Sequence, residues 1–383
     1  MKQRGLKMQK KLFVVLAAAI ALPLPALADT ANASIYGIAN VSFDFIRTGT
    51  AANGTAGVSK SNVSSNVSRL GFKGSEGLGD GLSAIWQIEQ QVNIDNTGGT
   101  LATRNSFAGL KSDSLGTMLL GRHDTPYKLA TRKLDVFADS IADNRALLGG
   151  VKTNKSSMAG FDERQPDIVA YLSPSKNGFS GAAAFVNLAE ANTTAAATKA
   201  SVLSMAAMYD AAPFYGSLGY ENHKLDTARV GGKETAVKLG LGYTADAFTL
   251  GVVYEKISDS LGAGAVAAVG ATCAAKTAGS DCFGHTAYYL AGQYKFGSNA
   301  VKFAYGKAGK LGNTANTGAN QLSLGYDHGL SKRTVLYALY SRISNQTGIN
   351  YGFSQSSATA GNATINGVGA SPSVLSFGVK HTF

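Results

Sequence analysis

The sequence predicts an all-β fold, an antiparallel transmembrane β-barrel of about sixteen strands. Three observations lead there. The chain opens on an export leader. Most of the chain beyond the leader alternates apolar and polar residues with period two, in segments of roughly ten, the length a tilted strand needs to cross a bilayer. The connections between those segments are short and long by turns. The last segment shows the pattern clearly: Leu375, Phe377, Val379 and Phe383 fall on one face, and Ser376, Gly378, Lys380 and Thr382 on the other. Successive residues of a strand point to opposite sides, and apolar-out, polar-in is what a membrane strand needs around an aqueous lumen.

The leader comes first. Lys10 and Lys11 form a positive n-region, Leu12 to Leu24 an apolar stretch, and Ala26-Leu27-Ala28 a small-residue cleavage site. Residues 1–28 are therefore read as a signal peptide and 29–383 as the barrel domain, with Met8 an alternative start. The competing reading is an N-terminal membrane anchor, but the apolar run is short for a span and Pro23 and Pro25 interrupt its end. Five of the 35 basic residues (Lys2, Arg4, Lys7, Lys10, Lys11) lie in the leader, which has no acid, so the mature chain carries +6 rather than +11. Glycine is abundant at 46, Phe and Tyr number 17 and 16, and mean hydropathy is +0.01. No mature segment offers the roughly 18 continuous apolar residues of a spanning helix. An exported chain rich in Gly and aromatics, with hydropathy averaging to neutral, fits membrane strands.

Several strands alternate cleanly. In 66–75, Leu70 and Phe72 take the lipid face. In 236–244, Val237, Leu239, Leu241 and Tyr243 oppose Lys238, Gly240, Gly242 and Thr244; in 248–255, Phe248, Leu250, Val252 and Tyr254 oppose Thr249, Gly251, Val253 and Glu255. The segments 288–296 and 301–306 behave alike. Pro126, Pro166, Pro174, Pro213 and Pro372 sit at strand ends or between strands, where a residue with no N–H belongs in a closed sheet. Short turns are read at 77–80, 113–116, 175–178, 211–213, 246–247, 297–299 and 329–331. Long polar connections lie near 47–65, 94–103, 124–164, 189–199, 226–233, 259–284, 309–319 and 346–371. Short turns on one side and long loops on the other is the asymmetry of a membrane barrel.

Segment 124–164 is much the longest connection, and loops beyond about 12–15 residues are usually functional or disordered. This one interleaves Leu129, Leu134, Phe137, Ile141, Leu147 and Leu148 with charge. Leu134, Phe137 and Ile141 are spaced for one face of a short helical turn. An apolar face must cover something, and the inner barrel wall is at hand. Its acids Asp135, Asp139 and Asp143 would then face basic residues across the lumen. An external lid or a contact between subunits is the competing role.

"SRLGFKGSEGLGDGLSAIWQIEQQ" (68–91) resembles the second and third strands of the Gram-negative trimeric general porins, in their β-proteobacterial and neisserial branch. "NSFAGLKSDSLGTMLLGRHDTPYKL" (105–129) looks like the following hairpin, with the "LGR…TP" pattern that leads into the third loop, and "IYGIANVSF" (35–43) is similar to the first strand. The ending "SFGVKHTF" looks like the closing strand of outer-membrane proteins. The resemblance is specific at 68–129 and generic elsewhere. It implies a sixteen-stranded barrel in the bacterial outer membrane, a homotrimer, and a third loop folded into the lumen as the constriction. It also implies that the terminal Phe383 is the assembly signal read by the barrel-assembly machinery, in a bilayer of lipid and lipopolysaccharide.

Parity points Arg69 and Lys73 into the lumen, and likewise Lys238, Lys302 and Lys380. Arg164 precedes its strand at the return of the long loop, where the resemblance places a lumen arginine. Arg122 occupies the "LGR" position but shares parity with Met118 and Leu120, and Arg104 opens its strand, so neither direction follows from the sequence. Arg69, Lys73, Arg122 and Arg164 are taken as the basic side of a constriction, opposed by the loop acids. A positive wall raises the local anion concentration and repels cations.

Chemistry beyond permeation finds little support. His123, His223, His285, His328 and His381 have no partner at metal-ligand spacing. Ser173-Pro-Ser-Lys176 matches a bare S-x-x-K but falls in a turn. Positive charge is dispersed along strands rather than gathered in a nucleic-acid-binding patch. Neither enzyme activity nor any cofactor is expected. Cys273 and Cys282, in one long loop of an exported chain, are expected to form a local disulfide. The function these features imply is passive diffusion of ions and small hydrophilic solutes, with a preference for anions. A substrate-selective channel and a non-conducting structural or adhesin barrel are the alternatives.

Overall fold

The computed structural model describes residues 32–95, 101–150, 161–187, 200–224, 233–259, 284–312, 314–353 and 367–383. The leader and the Cys273/Cys282 pair lie outside them. The chain lays down β1 (Asn32–Arg47), β2 (Ser59–Ser65), β3 (Arg69–Gly79), β4 (Leu82–Gln91), β5 (Ser106–Ser112) and β6 (Gly116–Asp124). A helix, α1 (Pro126–Thr131), and two 3-10 turns (Arg132–Leu134, Asn144–Ala146) occupy the long connection. Next come β7 (Arg164–Leu172), β8 (Phe179–Asn187), β9 (Ser201–Ala211), β10 (Phe214–Lys224), β11 (Lys233–Ala245) and β12 (Phe248–Asp259). The circuit ends with β13 (His285–Phe296), β14 (Asn299–Ala308), β15 (Ala319–Gly329), β16 (Thr334–Asn345) and β17 (Ser373–Thr382).

These seventeen segments make sixteen staves of one closed antiparallel barrel, because β2 and β3 are two halves of a single stave. Both pair with β1, β2 along residues 41–47 and β3 along 32–38. Between them Val67 adopts φ +56°, and Ser68 folds its hydroxyl onto both the N–H and the C=O of Asn40 (3.0 and 3.1 Å). Every backbone polar group inside a bilayer needs a partner, and Ser68 supplies one where the ladder breaks. The loop expected near 47–65 is accordingly shorter, ending at Ser59. β17 pairs with β16 on one edge and with β1 on the other, from Ile38↔Thr382 to Arg47↔Ser373. Phe383 carries the ladder one step further by exchanging two backbone hydrogen bonds with Gly37.

The outer surface is apolar as the parity requires. Phe43, Phe72, Leu120, Leu203, Leu239, Leu250, Leu290, Phe303 and Phe377 are all exposed. Aromatic pairs mark the short-turn rim: Phe179–Tyr209, Phe214–Tyr243 and Phe248–Tyr294, with centroids 4.7, 5.5 and 4.6 Å apart. Tyr254–Tyr288, at 5.2 Å, lies toward the opposite end of its strands. Rings with a polar tip at both ends of the strands suit the two membrane–water boundaries.

Phe377 lies mid-stave between Phe43 and Ala338. Phe377→Arg is expected to lower the unfolding free energy in phospholipid vesicles by about 2–4 kcal/mol, measured by denaturant titration. A loss near zero would mean that this face does not meet lipid.

Candidate functional site

The long loop after β6 turns inward at once. Thr125 caps α1, its hydroxyl accepting from the Lys128 N–H (3.4 Å), and Pro126 fills the first helical position, where a missing N–H costs nothing. Wall residues then hold the helix. The Tyr127 N–H donates to Ser204 Oγ (3.0 Å), the Tyr127 hydroxyl to Glu255 (2.9 Å), and the Tyr215 hydroxyl to the Ala130 carbonyl (2.6 Å). Beyond the helix Leu134, Phe137, Ile141, Leu147 and Leu148 are all buried, and their partners are inward residues of β11 to β16 such as Val253, Tyr289, Ala304 and Ile343. The wall makes room with glycine. A Cβ on Gly240 or Gly242 would lie 2.7 Å from a methyl of Leu134, closer than two carbons approach, so only glycine lets the loop lie flat.

Leu134, Phe137 and Ile141 do face the wall, but not from one helix. Two carboxylates take the backbone N–H groups that a helix would have used. Asp135 accepts from the N–H of Phe137 (2.9 Å) and of Asn144 (3.0 Å), and from the Tyr289 hydroxyl (2.6 Å). Asp143 accepts from the N–H of Asp139 and of Arg145, both at 3.0 Å. Asp135 and Asp143 are therefore buried inside the loop and paired with its own Arg132 and Arg145. The expectation that they look across the lumen is corrected by this geometry. Asp139, at φ +59°, does reach across, to Arg69 of β3 (2.9 Å), while also binding Arg132 (2.7 Å).

Between the loop and the β3–β7 wall remains an opening of about 590 Å³. Seven basic side chains line it (Arg69, Arg104, Arg122, Lys128, Arg132, Arg145, Arg164) against four acids (Glu89, Asp124, Asp139, Glu163). Arg104 is paired with Glu89, and Asp124 takes both Lys128 (2.8 Å) and Arg164 (3.0 Å). Arg122 makes no ion pair among the described residues; its Nε donates to the Thr103 carbonyl (3.0 Å). It reaches the lumen although strict alternation would turn it outward with Leu120. The β6–β7 register slips between Gly121 and His123, with Gly121 at φ +137°, and such a bulge re-aims the next side chain. Lys73 lies one layer toward the short-turn rim, its ammonium 5.2 Å from the Tyr36 ring, outside the lining of this opening.

The other inward lysines divide. Lys238 is fully buried beneath the loop, bound to Asp162 and to Glu255 (3.3 Å), and so serves as an anchor. Lys302, paired with Asp327, and Lys380 line a smaller recess of about 190 Å³ on the loop's other flank. Glu89 and Asp124 were not singled out in the sequence. Glu89 was within reach, since Trp86 and Ile88 face lipid and leave Gln87, Glu89 and Gln91 inward. Arg132 and Arg145, each in a three-residue 3-10 turn, carry no periodic signal. The Ser173 hydroxyl accepts the Gly181 N–H (2.8 Å) inside its turn. Among the described residues no cluster of His, Cys, Asp or Glu has the makings of a metal site.

Residues 15–348 match the family model described as Gram-negative porin. The chain belongs to the Gram-negative porin family. It is an outer-membrane β-barrel that crosses the bilayer with every stave. It is 35% identical over 199 residues to the major outer membrane protein P.IA of Neisseria meningitidis, a match covering 47% of each chain. The chain thus spans about half the length of the neisserial relatives it matches. Along 92% of this chain and 94% of the relative, it is 26% identical to outer membrane porin protein 32 of Delftia acidovorans. In fold it resembles the anion-selective porin from Comamonas acidovorans, with a TM-score of 0.76 at 22% identity over 92% of this chain and 100% of that one.

Titration of the loop is set by these pairs. Burial pushes the Asp139 carboxyl up, but Arg132 and Arg69 outweigh it and hold the group well below the usual carboxylate range; Arg132 and Arg145 do the same for Asp143. Groups depressed in this way contribute stability above the unfolded carboxylate pKa of about 3.9, and it is lost as pH falls through and below that value. Asp135 runs the other way. Burial and the neighbouring Asp143 raise it to about 6, so its contribution is complete below about 4 and is lost as pH rises toward 6. Asp139→Asn is expected to speed amide exchange across 135–147 at pH 7 at least tenfold, from the loss of about 1.5–3 kcal/mol of charged hydrogen bonding. Hydrogen–deuterium exchange read by mass spectrometry checks this; unchanged exchange would show that Asp139 does not hold the loop.

Proposed function

We propose that the protein is a general-diffusion channel of the outer membrane, passing ions and small hydrophilic solutes down their gradients with a preference for anions. The observation that carries this reading is the opening beside the inward loop, where seven basic side chains meet four lining acids and the two loop acids, Asp135 and Asp143, that lie buried behind Arg132 and Arg145. Pairing leaves Arg122 without a carboxylate among the described residues and leaves Asp124 shared between two cations. A surplus of fixed positive charge along the lining of a pore concentrates anions and repels cations. Arg69, Arg122 and Arg164 bring three of these guanidinium groups from the barrel wall. Asp139, at the loop tip, acts against them, and Lys73 adds to the field from below.

The proposed assembly is a homotrimer. In-vitro folded OmpT of Vibrio cholerae, similar in fold (TM-score 0.62), is described as a trimer form, and the Comamonas porin as anion-selective. The terminal Phe383, tied to Gly37 at the seam, is proposed as the signal read by the barrel-assembly machinery. No catalytic role is proposed.

Planar-bilayer recording under a salt gradient tests this reading. The reversal potential is expected to favour anions, and Arg122→Gln with Arg164→Gln to reduce the permeability ratio about two- to fivefold per charge. Cation preference in the unaltered protein would assign selectivity to the loop acids instead, and absence of conductance from folded protein would remove the channel.

Lys128 adds a pH dependence. Burial pulls its ammonium down to about 8 against the pull of Asp124. It is charged below that value and neutral above, so anion preference is expected to weaken as pH rises from 7 to 9. Lys128→Met should start at the weaker preference and show no such step.

A further inference from the structure

Behind the tip of the inward loop the barrel wall carries a charge that nothing in the fold answers. Asp44 is 0% exposed, and among the described residues neither of its carboxylate oxygens has a hydrogen-bond donor or a cation. The outward Phe43 and Phe45 fix its inward parity on β1. Its cross-strand neighbours are Ser376 on β17 and Asn62 on β2. Ser42 and Ser64 hold the row beneath, and Ile46, Val374 and Lys60 the row above. No basic residue shares the row of Asp44, and Lys60 makes no ion pair with it. By contrast Asp135 and Asp143 bind Arg132, and Glu255 binds Lys238. An unpaired charge is costly to bury, so a carboxylate set this deep calls for a positive partner.

Two more oxygens beside it are buried and unpartnered, Ser376 Oγ and Asn66 Oδ1. Ser376 stands directly across the β1–β17 ladder, where side chains are about 5 Å apart at Cβ, yet no hydrogen bond joins it to Asp44. Oxygens that share a calcium ion, each roughly 2.3–2.6 Å from it, stand up to about 5 Å apart. Asn66 belongs to the row beneath, where its amide nitrogen donates to Ser42 Oγ (2.7 Å). Ser42 Oγ and Ser64 Oγ each accept one amide hydrogen bond and keep a second lone pair. All of these are hard oxygen donors, with no nitrogen or sulfur among them, which suits calcium better than a transition metal. Magnesium demands a near-ideal octahedron and gives up its water reluctantly, so side chains fixed on strands suit it less.

The loop tip rests on this part of the wall. Asn40 Nδ2 donates to the Asp139 carbonyl (3.2 Å) and Gln321 Nε2 to the Ala142 carbonyl (3.3 Å). Ile141 is buried in one cluster with Ile46, Leu339 and Val374. The Tyr337 hydroxyl accepts from Asn66 Nδ2 (3.1 Å) and donates to Asn40 Oδ1 (2.9 Å). A hydrogen-bonded chain thus runs from Asn66 through Tyr337 and Asn40 to the loop backbone. We propose that Asp44 holds a calcium ion together with the Ser376 hydroxyl and the Asn66 amide oxygen, and that the ion stiffens the wall on which the loop tip is seated. One carboxylate among neutral ligands makes this a weak site, in the range of about 0.1–1 mM found for extracellular calcium modules.

The test is equilibrium dialysis of radiolabelled calcium against the whole barrel in detergent, freed of lipopolysaccharide so that lipid phosphates contribute no calcium of their own. Asp44→Asn is expected to remove one calcium per chain. Ser376→Ala should weaken that calcium roughly tenfold, and Asp80→Asn, in an exposed short turn, should leave it in place. Heat-modifiable gel mobility shows that each variant is folded and supplies a second readout. At ten times its dissociation constant, calcium should raise the unfolding temperature of the unaltered barrel by about 3 °C and leave Asp44→Asn unmoved. In chelator Asp44→Asn should unfold at the higher temperature of the two, because the amide removes an unpaired buried charge. Equal calcium uptake by Asp44→Asn and the unaltered protein overturns the proposal, as does a variant less stable than the unaltered protein in chelator. Displacement of the calcium by an equal concentration of magnesium or sodium would assign the oxygens to another ion and overturn calcium. Conductance is recorded separately, so a silent channel would count against the pore without touching the calcium result.

Discussion

Inside hydrocarbon a backbone N–H or C=O without a partner costs several kcal/mol, and a sheet can meet that demand everywhere only by closing on itself. The rest of the molecule depends on this constraint. β1 is paired along its whole length on both edges, by β17 on one side and by β2 with β3 on the other. Where the chain must break the ladder, at Val67, the Ser68 hydroxyl stands in for the missing strand. Closure also fixes parity around the ring, so an apolar exterior obliges the polar residues to share one interior.

That interior is too wide for side chains alone to fill, and the long loop fills part of it. Two kinds of contact hold it. Apolar knobs, Leu134 above all, enter sockets that exist because the facing wall residues are glycine. Carboxylates do the remaining work from within: Asp135 and Asp143 tie up backbone N–H groups and set Arg132 and Arg145 in place. At the loop's root Lys238 and the Phe161–His223 stack, with centroids 4.2 Å apart, bind it to the wall. The opening is what this packing leaves over, and its charge depends on which arginines the loop brings near the strand arginines.

Legibility followed periodicity. Arg69 meets Asp139 of the loop because Leu70 and Phe72 take the other face of its strand, and the closing strand was readable from the same alternation. Arg122 was not readable, because one slip of register at Gly121 reverses the parity of everything beyond it and leaves no mark in the apolar pattern. Spacing of Leu134, Phe137 and Ile141 suggested a helix and identified the buried residues, yet the backbone there is held by Asp135 and Asp143 in turns. Lys238 shows the limit of parity from another direction: it points inward as read, but a loop covers it and pairs it with Asp162.

By itself the sequence determined the barrel, its lipid face and the existence of one long connection rich in both apolar and charged residues, since each is written in local alternation and in the lengths between strands. Tertiary structure decided which charges meet at the opening. Arg69 and Asp139 are seventy residues apart in the chain, and Glu255, which anchors the loop through Tyr127, is 128 residues from it. Such pairings exist only once the ring has closed around the loop, because closure brings distant strands to opposite walls of one lumen and the loop then spans the gap.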